Sequence, residues 1–347
     1  MKTKVLIVDD SAVVRNLLSS ILSKDPSIEV IGTAPDPYIA RDKIVKYHPD
    51  VITLDVEMPR MDGITFLKKL MKHFPIPVVI VSSLTPKGAI TTMKAFEAGA
   101  VEVIAKPEMD ITKGLEIVSA RIIEKVKIAA TAKVKKRDAR KEAVDKRRQP
   151  LTTKALAQST NKIVAIGAST GGTEAIREVL ISMPANSPGI VIVQHMPEKF
   201  TKMFAKRLNE QCAMDVKEAR EGDGVYPGVV LIAPGNHHMV LKRSGARYYV
   251  KLNQNPPVFH QRPSVDVLFE SVATYTGANS VGVIMTGMGA DGAGGLLKMK
   301  EAGAKTIAQD EKSSIVFGMP KEAIKLGAAQ KVISLSDIPQ AILSSCR

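Results

Sequence analysis

Lys4-Val5-Leu6-Ile7-Val8-Asp9-Asp10-Ser11 decides how the first third of the chain is read. Four consecutive apolar residues are too few for a helix, and they close on two acids, so the run reads as a buried strand with a charged carboxyl end. Val51 to Leu54, Val78 to Val81 and Val101 to Ala105 repeat the pattern. Between these runs Val13/Val14, Leu17/Leu18 and Ile21/Leu22 recur at helical spacing, as do Phe66/Leu67 and Leu70/Met71. Strands alternating with helices predict an α/β unit, a doubly wound parallel sheet, which a helix carrying Leu115, Val118, Ile122 and Val126 closes.

A chain of 347 residues calls for two domains of ordinary size. With 45% hydrophobic and 24% charged residues, a wholly disordered, collagen-like or disulfide-scaffold protein is excluded, and Cys212 and Cys346 are too few for a disulfide framework. Met1-Lys2-Thr3-Lys4 runs straight into the first strand without an apolar signal region, and no apolar run approaches the roughly 20 residues of a membrane span. The expectation is a cytoplasmic protein without membrane insertion. The net charge is +14, and Lys125 to Arg148 carries eleven basic residues against three acidic ones, a surplus of +8. The domains are therefore set at 1–124 and 161–347, joined by a basic linker at 125–160, the alternative being a basic helix for acidic partners or membrane. In the second domain Lys162 to Ala168, Gly189 to Gln194, Val229 to Ala233 and Val281 to Thr286 are strand-like, and Lys242 to Val258 reads as a β-hairpin excursion from another doubly wound α/β domain.

Asp9 and Asp10 end the first strand and Asp55 ends the third. In an open parallel sheet the strand carboxyl ends face one crevice, so these acids converge there. Carboxylates packed that closely repel, and a hard cation such as Mg²⁺ is the physical remedy. Ser82 and Lys106 stand at two further strand ends. An ammonium and a hydroxyl beside a metal-bound carboxylate suit an aspartyl-phosphate.

Gly167-Ala168-Ser169-Thr170-Gly171-Gly172 follows a strand and precedes the helical segment Glu174 to Leu180. Small residues around a serine at such a turn let its hydroxyl project, and the same glycine-rich turn suits a phosphate cradle. Of the six histidines, His48, His73, His195, His237, His238 and His260, His195 is best placed as a base, because it ends the strand Gly189 to Gln194 at the same sheet edge. Asp291, after the strand Val281 to Thr286, supplies an orienting acid. Its loop, Gly287 to Gly292, also spells a dinucleotide fingerprint with Asp310 and Glu311 about 20 residues on, but an acid inside the loop sits poorly against a pyrophosphate.

Asp9-Asp10-Ser11, Asp55-Val56-Glu57-Met58-Pro59, Met61-Asp62-Gly63 and Lys106-Pro107 together resemble the response-regulator receiver domain, a flavodoxin-like fold with a five-stranded sheet, over residues 1 to about 125. The resemblance implies Asp55 as phosphoacceptor, Mg²⁺ held by Asp10, Asp55 and the Glu57 carbonyl, Asp9 assisting through water, Lys106 pairing with the phosphoryl group and Ser82 sensing it. The set Gly167 to Gly172, Gln194-His195-Met196-Pro197, Ala233-Pro234-Gly235, Arg262-Pro263-Ser264-Val265-Asp266 and Thr286 to Gly289 with Asp291-Gly292 is similar to the chemotaxis protein-glutamate methylesterase family, CheB. That implies hydrolysis of glutamate methyl esters, and deamidation of glutamines, on the cytoplasmic helices of methyl-accepting chemoreceptors. It also implies a Ser169–His195–Asp291 triad, oxyanion donors at Met288 and Thr170, no cofactor for the hydrolytic step, a chemotaxis histidine kinase as phosphodonor and a receiver that lids the site until phosphorylated. The same resemblance nominates His238 and Arg262 as substrate contacts. A monomer that binds no nucleic acid is expected, since the second domain alternates strands and helices where a DNA-binding output shows a compact helix-turn-helix. The rival reading is a response regulator whose output domain binds receptors without catalysis.

Overall fold

The computed structural model describes residues 2–58, 62–83, 85–106, 115–134, 136 and 162–346. The chain divides into two compact units, Met1–Asp145 and Lys146–Arg347. Pro59, Met61, Pro107 and most of the basic segment lie outside the described residues. No helix among the described residues is long and apolar enough to cross a membrane.

In the first unit five strands, β1 Thr3–Val8, β2 Ile28–Ala34, β3 Val51–Asp55, β4 Val78–Ser82 and β5 Glu102–Ala105, form a sheet of order β2-β1-β3-β4-β5. Every pair is parallel. The strands alternate with helices α1 Ala12–Leu22, α2 Pro37–Tyr47, α3 Gly63–His73, α4 Pro86–Glu97 and α5 Leu115–Ala130. Val5 to Val8 and Val78 to Val81 are buried, as continuous apolar runs require of central strands. The edge strand β2 is half-covered and mixed in polarity, which is why apolar runs alone do not reveal it. The order reverses between β1 and β3, and their carboxyl ends open the crevice expected at such a switch point. Helix α5 continues past the start expected for the linker at 125. Lys125 pairs with the Glu102 carboxylate at 3.0 Å and bonds the Val103 carbonyl at 2.9 Å, while Val126 and Ala129 are buried, so residues 125–130 belong to the first unit.

The second unit is built on a seven-stranded parallel sheet of order β15-β14-β13-β6-β7-β10-β8. Its strands are β6 Ile163–Ala168, β7 Gly189–Gln194, β8 Asp215–Glu218, β10 Val229–Ile232, β13 Ser280–Ile284, β14 Lys305–Gln309 and β15 Lys331–Ile333. Helices α6 Gly172–Ile181, α7 Phe200–Asn209, α8 Val265–Thr276, α9 Ala293–Glu301, α10 Met319–Lys325 and α11 Ile338–Ser345 accompany them. The hairpin excursion is β11 His238–Ser244 paired antiparallel with β12 Arg247–Asn253, joined by short β9 Gly224–Val225. Winding reverses about β6, which lies between β7 and β13. The loops that leave β6, β7 and β13 therefore meet at one crevice. Val265, the first residue of α8, packs against both β6 and the loop after β13: a Cβ on Gly167 would overlap its side chain, and one on Gly292 would come within 2.5 Å of it.

Candidate functional site

The first unit gathers Asp9, Asp10 and Asp55 at the carboxyl ends of β1 and β3, each offering an oxygen within 4.8 Å of the others. Asp9 and Asp55 are buried and Asp10 is exposed. Lys106, just past β5, reaches Asp55 Oδ2 at 2.7 Å and Asp9 Oδ2 at 3.2 Å. Burial pushes the Asp9 carboxyl up, and the neighbouring Asp55 charge adds to it, outweighing the Ser11 N–H and Lys106. Burial pulls the Lys106 ammonium down, but the two carboxylates more than offset this and hold it above its usual range. Among the described residues buried Asp9 Oδ2 has only the Lys106 ammonium, at 3.2 Å, as a partner. A crowded acidic cluster of three carboxylates served by one cation fits a hard divalent ion.

The supports of this cluster are local. The Glu57 N–H donates to Asp55 Oδ1 at 3.0 Å, while the Glu57 side chain is exposed. Ser82 is buried at the end of β4, and its carbonyl accepts from the Lys106 N–H at 2.8 Å, so the two lie side by side. Neighbouring Ser83 bonds Thr85, the α4 cap. Arg15, which sequence reasoning missed, donates to the carbonyls of Asp9 and Asp10 at 2.7 and 2.9 Å and so shapes the loop between β1 and α1.

In the second unit Ala168 and Gln194 are register partners on β6 and β7, so Ser169 and His195, one residue beyond, leave adjacent strands at the same edge. The turn is tight: the Ser169 carbonyl accepts from the Gly172 N–H at 2.7 Å, with Gly171 at φ +77°. His195 Nε2 lies 2.8 Å from Asp291 Oδ2. An ionised carboxylate only accepts, so Nε2 carries the proton and Nδ1 is the free basic nitrogen of the neutral ring. This reverses the common serine-protease arrangement, in which Nδ1–H faces the acid. Among the described residues nothing hydrogen-bonds the Ser169 hydroxyl, so the serine–histidine link is open in this conformation.

Asp291 is buried and saturated. Besides His195 it accepts from the Ser264 hydroxyl at 2.7 Å and from the Val265 and Asp266 N–H groups at 2.8 and 3.0 Å. Burial pushes its carboxyl up, but the His195 bond and charge with these amides hold it below the usual carboxylate range. The amides belong to the first turn of α8, whose positive end favours an anion. The Gly287–Gly292 loop serves the serine site: a Cβ on Gly287 would come within 2.7 Å of Ser169 Cβ. The Gly287 carbonyl accepts from Gly318 and Met319, and among the described residues the next amide, Met288 N–H, has no hydrogen-bond partner. Thr170 is buried, its carbonyl accepting from Thr286 Oγ1 at 2.9 Å.

Sequence reasoning quoted Gln194 and Ser264 without giving them roles. One buried Gln194 amide donates to both the Ser169 carbonyl, at 2.9 Å, and the His195 carbonyl, at 3.2 Å. The nominated substrate contact His238 is instead buried with both ring nitrogens engaged. Nε2–H donates to the Pro256 carbonyl, Nδ1 accepts from the Ser264 N–H, and burial foremost pushes its imidazolium down. The Arg262 guanidinium is held by Asn236 Oδ1 and the carbonyls of Gln254 and Asn255.

The profile of the CheB methylesterase family matches residues 164–342, and that of the response regulator receiver domain matches residues 5–118. The chain is 58% identical to the protein-glutamate methylesterase/protein-glutamine glutaminase 2 of Syntrophus aciditrophicus, over 99% of this chain and 98% of that one. It is 55% identical to the protein-glutamate methylesterase/protein-glutamine glutaminase of Syntrophotalea carbinolica, over 99% and 97% respectively. Among solved structures, the CheB methylesterase catalytic domain of Thermotoga maritima is 40% identical with a TM-score of 0.52, covering 53% of this chain and 98% of that one. On this similarity, and with a strand-end serine and histidine joined by a loop acid in one unit and an acidic cluster in the other, the chain belongs to the CheB methylesterase family and carries a response regulator receiver domain ahead of the catalytic domain.

Proposed function

We propose that the protein is a phosphorylation-activated serine hydrolase that converts glutamate methyl esters to glutamate and methanol, and glutamine to glutamate and ammonia, on the cytoplasmic domains of methyl-accepting chemoreceptors. One observation carries the reading: buried Asp291 fixes His195 through Nε2 on the strand beside that of Ser169. Ser169 Oγ attacks the ester carbonyl while His195 Nδ1 takes its proton, and Asp291 stabilises the imidazolium. The Met288 N–H, with Thr170 as helper, receives the oxyanion. His195 returns the proton to the leaving methoxide, then activates the water that frees Ser169 from the acyl intermediate.

Asp55 is the phosphoacceptor, and a chemotaxis histidine kinase is the phosphodonor. Asp10, Asp55 and the Glu57 carbonyl would hold Mg²⁺, with Asp9 acting through water. Bound Mg²⁺ supplies neutralising charge for phosphoryl transfer. Lys106 pairs with the phosphoryl oxygens and Ser82 takes one of them as acceptor. The division expected as a receiver at 1–124, a linker at 125–160 and a catalytic domain at 161–347 is proposed with the receiver extended through Ala130, where α5 ends.

Methanol release from methylated receptor membranes tests both halves. Release rises with a small-molecule phosphodonor in wild type, and Ser169→Ala abolishes it. Release that persists in Ser169→Ala overturns the assignment.

A further inference from the structure

Asp291 and Asp266 are exchanged caps. Asp291, from the loop leading into α9, accepts the first amides of α8. Asp266, in the first turn of α8, turns its carboxylate the other way and accepts the Gly295 N–H of α9 at 2.6 Å. Gly294 and Gly295 leave room for it, since a Cβ on Gly295 would lie 3.0 Å from Asp266 Oδ1. Each helix thus presents its positive end to an acid of the other, and one of those acids holds His195.

Capping α9 does not require an acid. Serine, threonine or asparagine serves as well and brings no buried charge. Burial, with the charges of Asp291 and Glu270, pushes the Asp266 carboxyl up to about 6 despite the Gly295 and Gly292 amides, so its ionisation at neutral pH works against the fold. Asp291 faces Asp266 from the loop, Lys298 from α9 and Glu270 from α8, and the last two pair at 2.7 Å. His195 bonds Asp291, and His238 lies close enough to feel its charge. What an acid adds over asparagine is negative charge behind Asp291.

We propose that Asp266 is a positioning residue for the hydrolytic reaction: it pins the loop carrying Asp291, and its charge behind Asp291 sustains the imidazolium that forms on His195. The proposal rests on the triad reading above. Asp266 touches neither substrate nor the reacting atoms, so it acts on turnover and not on substrate binding.

The test is Asp266→Asn in the full chain, which keeps an acceptor oxygen for Gly295 and removes only the charge. The variant should melt no lower than wild type at pH 7.5. On phosphodonor-activated protein, kcat for methanol release should fall about threefold to tenfold at unchanged KM. Because Asp266 gives up its charge as pH falls through about 6, the kcat deficit of the variant should shrink toward acid pH. Unchanged kcat, or a deficit independent of pH, overturns the proposal, as does a loss of melting temperature in step with kcat. A variant that fails to fold also overturns it, because the role is then structural. Ser169→Ala and Asp291→Asn run alongside: if both abolish release while Asp266→Asn does not, only this inference falls, and if they retain release, the triad reading falls and takes the inference with it.

Discussion

Gln194 links the backbones of the two residues proposed to react. Its amide nitrogen donates to the carbonyls of Ser169 and His195, and its Oε1 is buried against Gly172 with no partner among the described residues. Gln194→Leu removes both bonds and leaves the serine turn and the histidine free to drift apart. Because displacements of about 1 Å at a reacting centre can cost about 100-fold, kcat is expected to drop about 10- to 100-fold with KM unchanged, checked by initial rates of methanol release. The acids here titrate in opposite directions. Asp291 is held below its ordinary value, so its contribution to stability is present above the unfolded carboxylate pKa and is lost as pH falls through its lower folded value. Asp266 is raised, from 3.8 to about 6, so it favours the folded state on the acid side of that window and loses this contribution as pH rises through about 6. The melting temperature of Asp266→Asn relative to wild type should therefore climb between pH 4 and 6.5, read by thermal unfolding at stepped pH.

At the scale of elements, the site depends on β6, α8 and the loop before α9 docking through Val265. Gly167→Ala places a methyl group on the Val265 side chain, and Gly292 at φ +91° tolerates a side chain no better. Overpacking of this kind costs about 1–3 kcal/mol. Gly167→Ala should lower stability by that amount and displace α8, whose first amides hold Asp291. Adding Val265→Ala should recover part of the loss, a positive coupling measurable by a double-mutant cycle in urea. Strictly additive losses would mean that the two positions do not share this contact. Much of this scale was legible beforehand. Val5 to Val8, Val78 to Val81 and Gly189 to Gln194 are buried on both faces and read as uninterrupted apolar runs. Edge strands β2, β8 and β15 bury one face or less, so their sequences mix polar and apolar residues and carry no such signal.

For the whole molecule, the acidic cluster and the serine site occupy separate units of one chain. Three crowded carboxylates at the ends of β1 and β3 disfavour the folded receiver until a cation offsets their repulsion. A cation that binds only the folded state raises its stability by mass action. Millimolar Mg²⁺ should therefore raise the melting temperature of wild type, and Asp10→Asn should reduce that rise. An equal rise in Asp10→Asn would assign the stabilisation to another site. Chelation with EDTA should likewise suppress phosphodonor-stimulated methanol release while leaving the basal rate intact, since the hydrolysis proposed for Ser169, His195 and Asp291 uses no metal.

Sequence alone determined the two α/β units, the strand ends on which Asp9, Asp10, Asp55, Ser169 and His195 stand, and the loop after a strand that carries Asp291. These follow from local physics: a strand buried on both faces must be apolar, and the polar residue that stops it must stand at the sheet edge. Only the tertiary structure decided which ring nitrogen of His195 meets Asp291, that His238 is a buried structural histidine, and that Ser264, Gln194 and Asp266 belong to the site. Those facts depend on hydrogen bonds between residues 18 or more positions apart, set by how strands are ordered in the sheet and how helices dock against it. No periodicity along the chain encodes them.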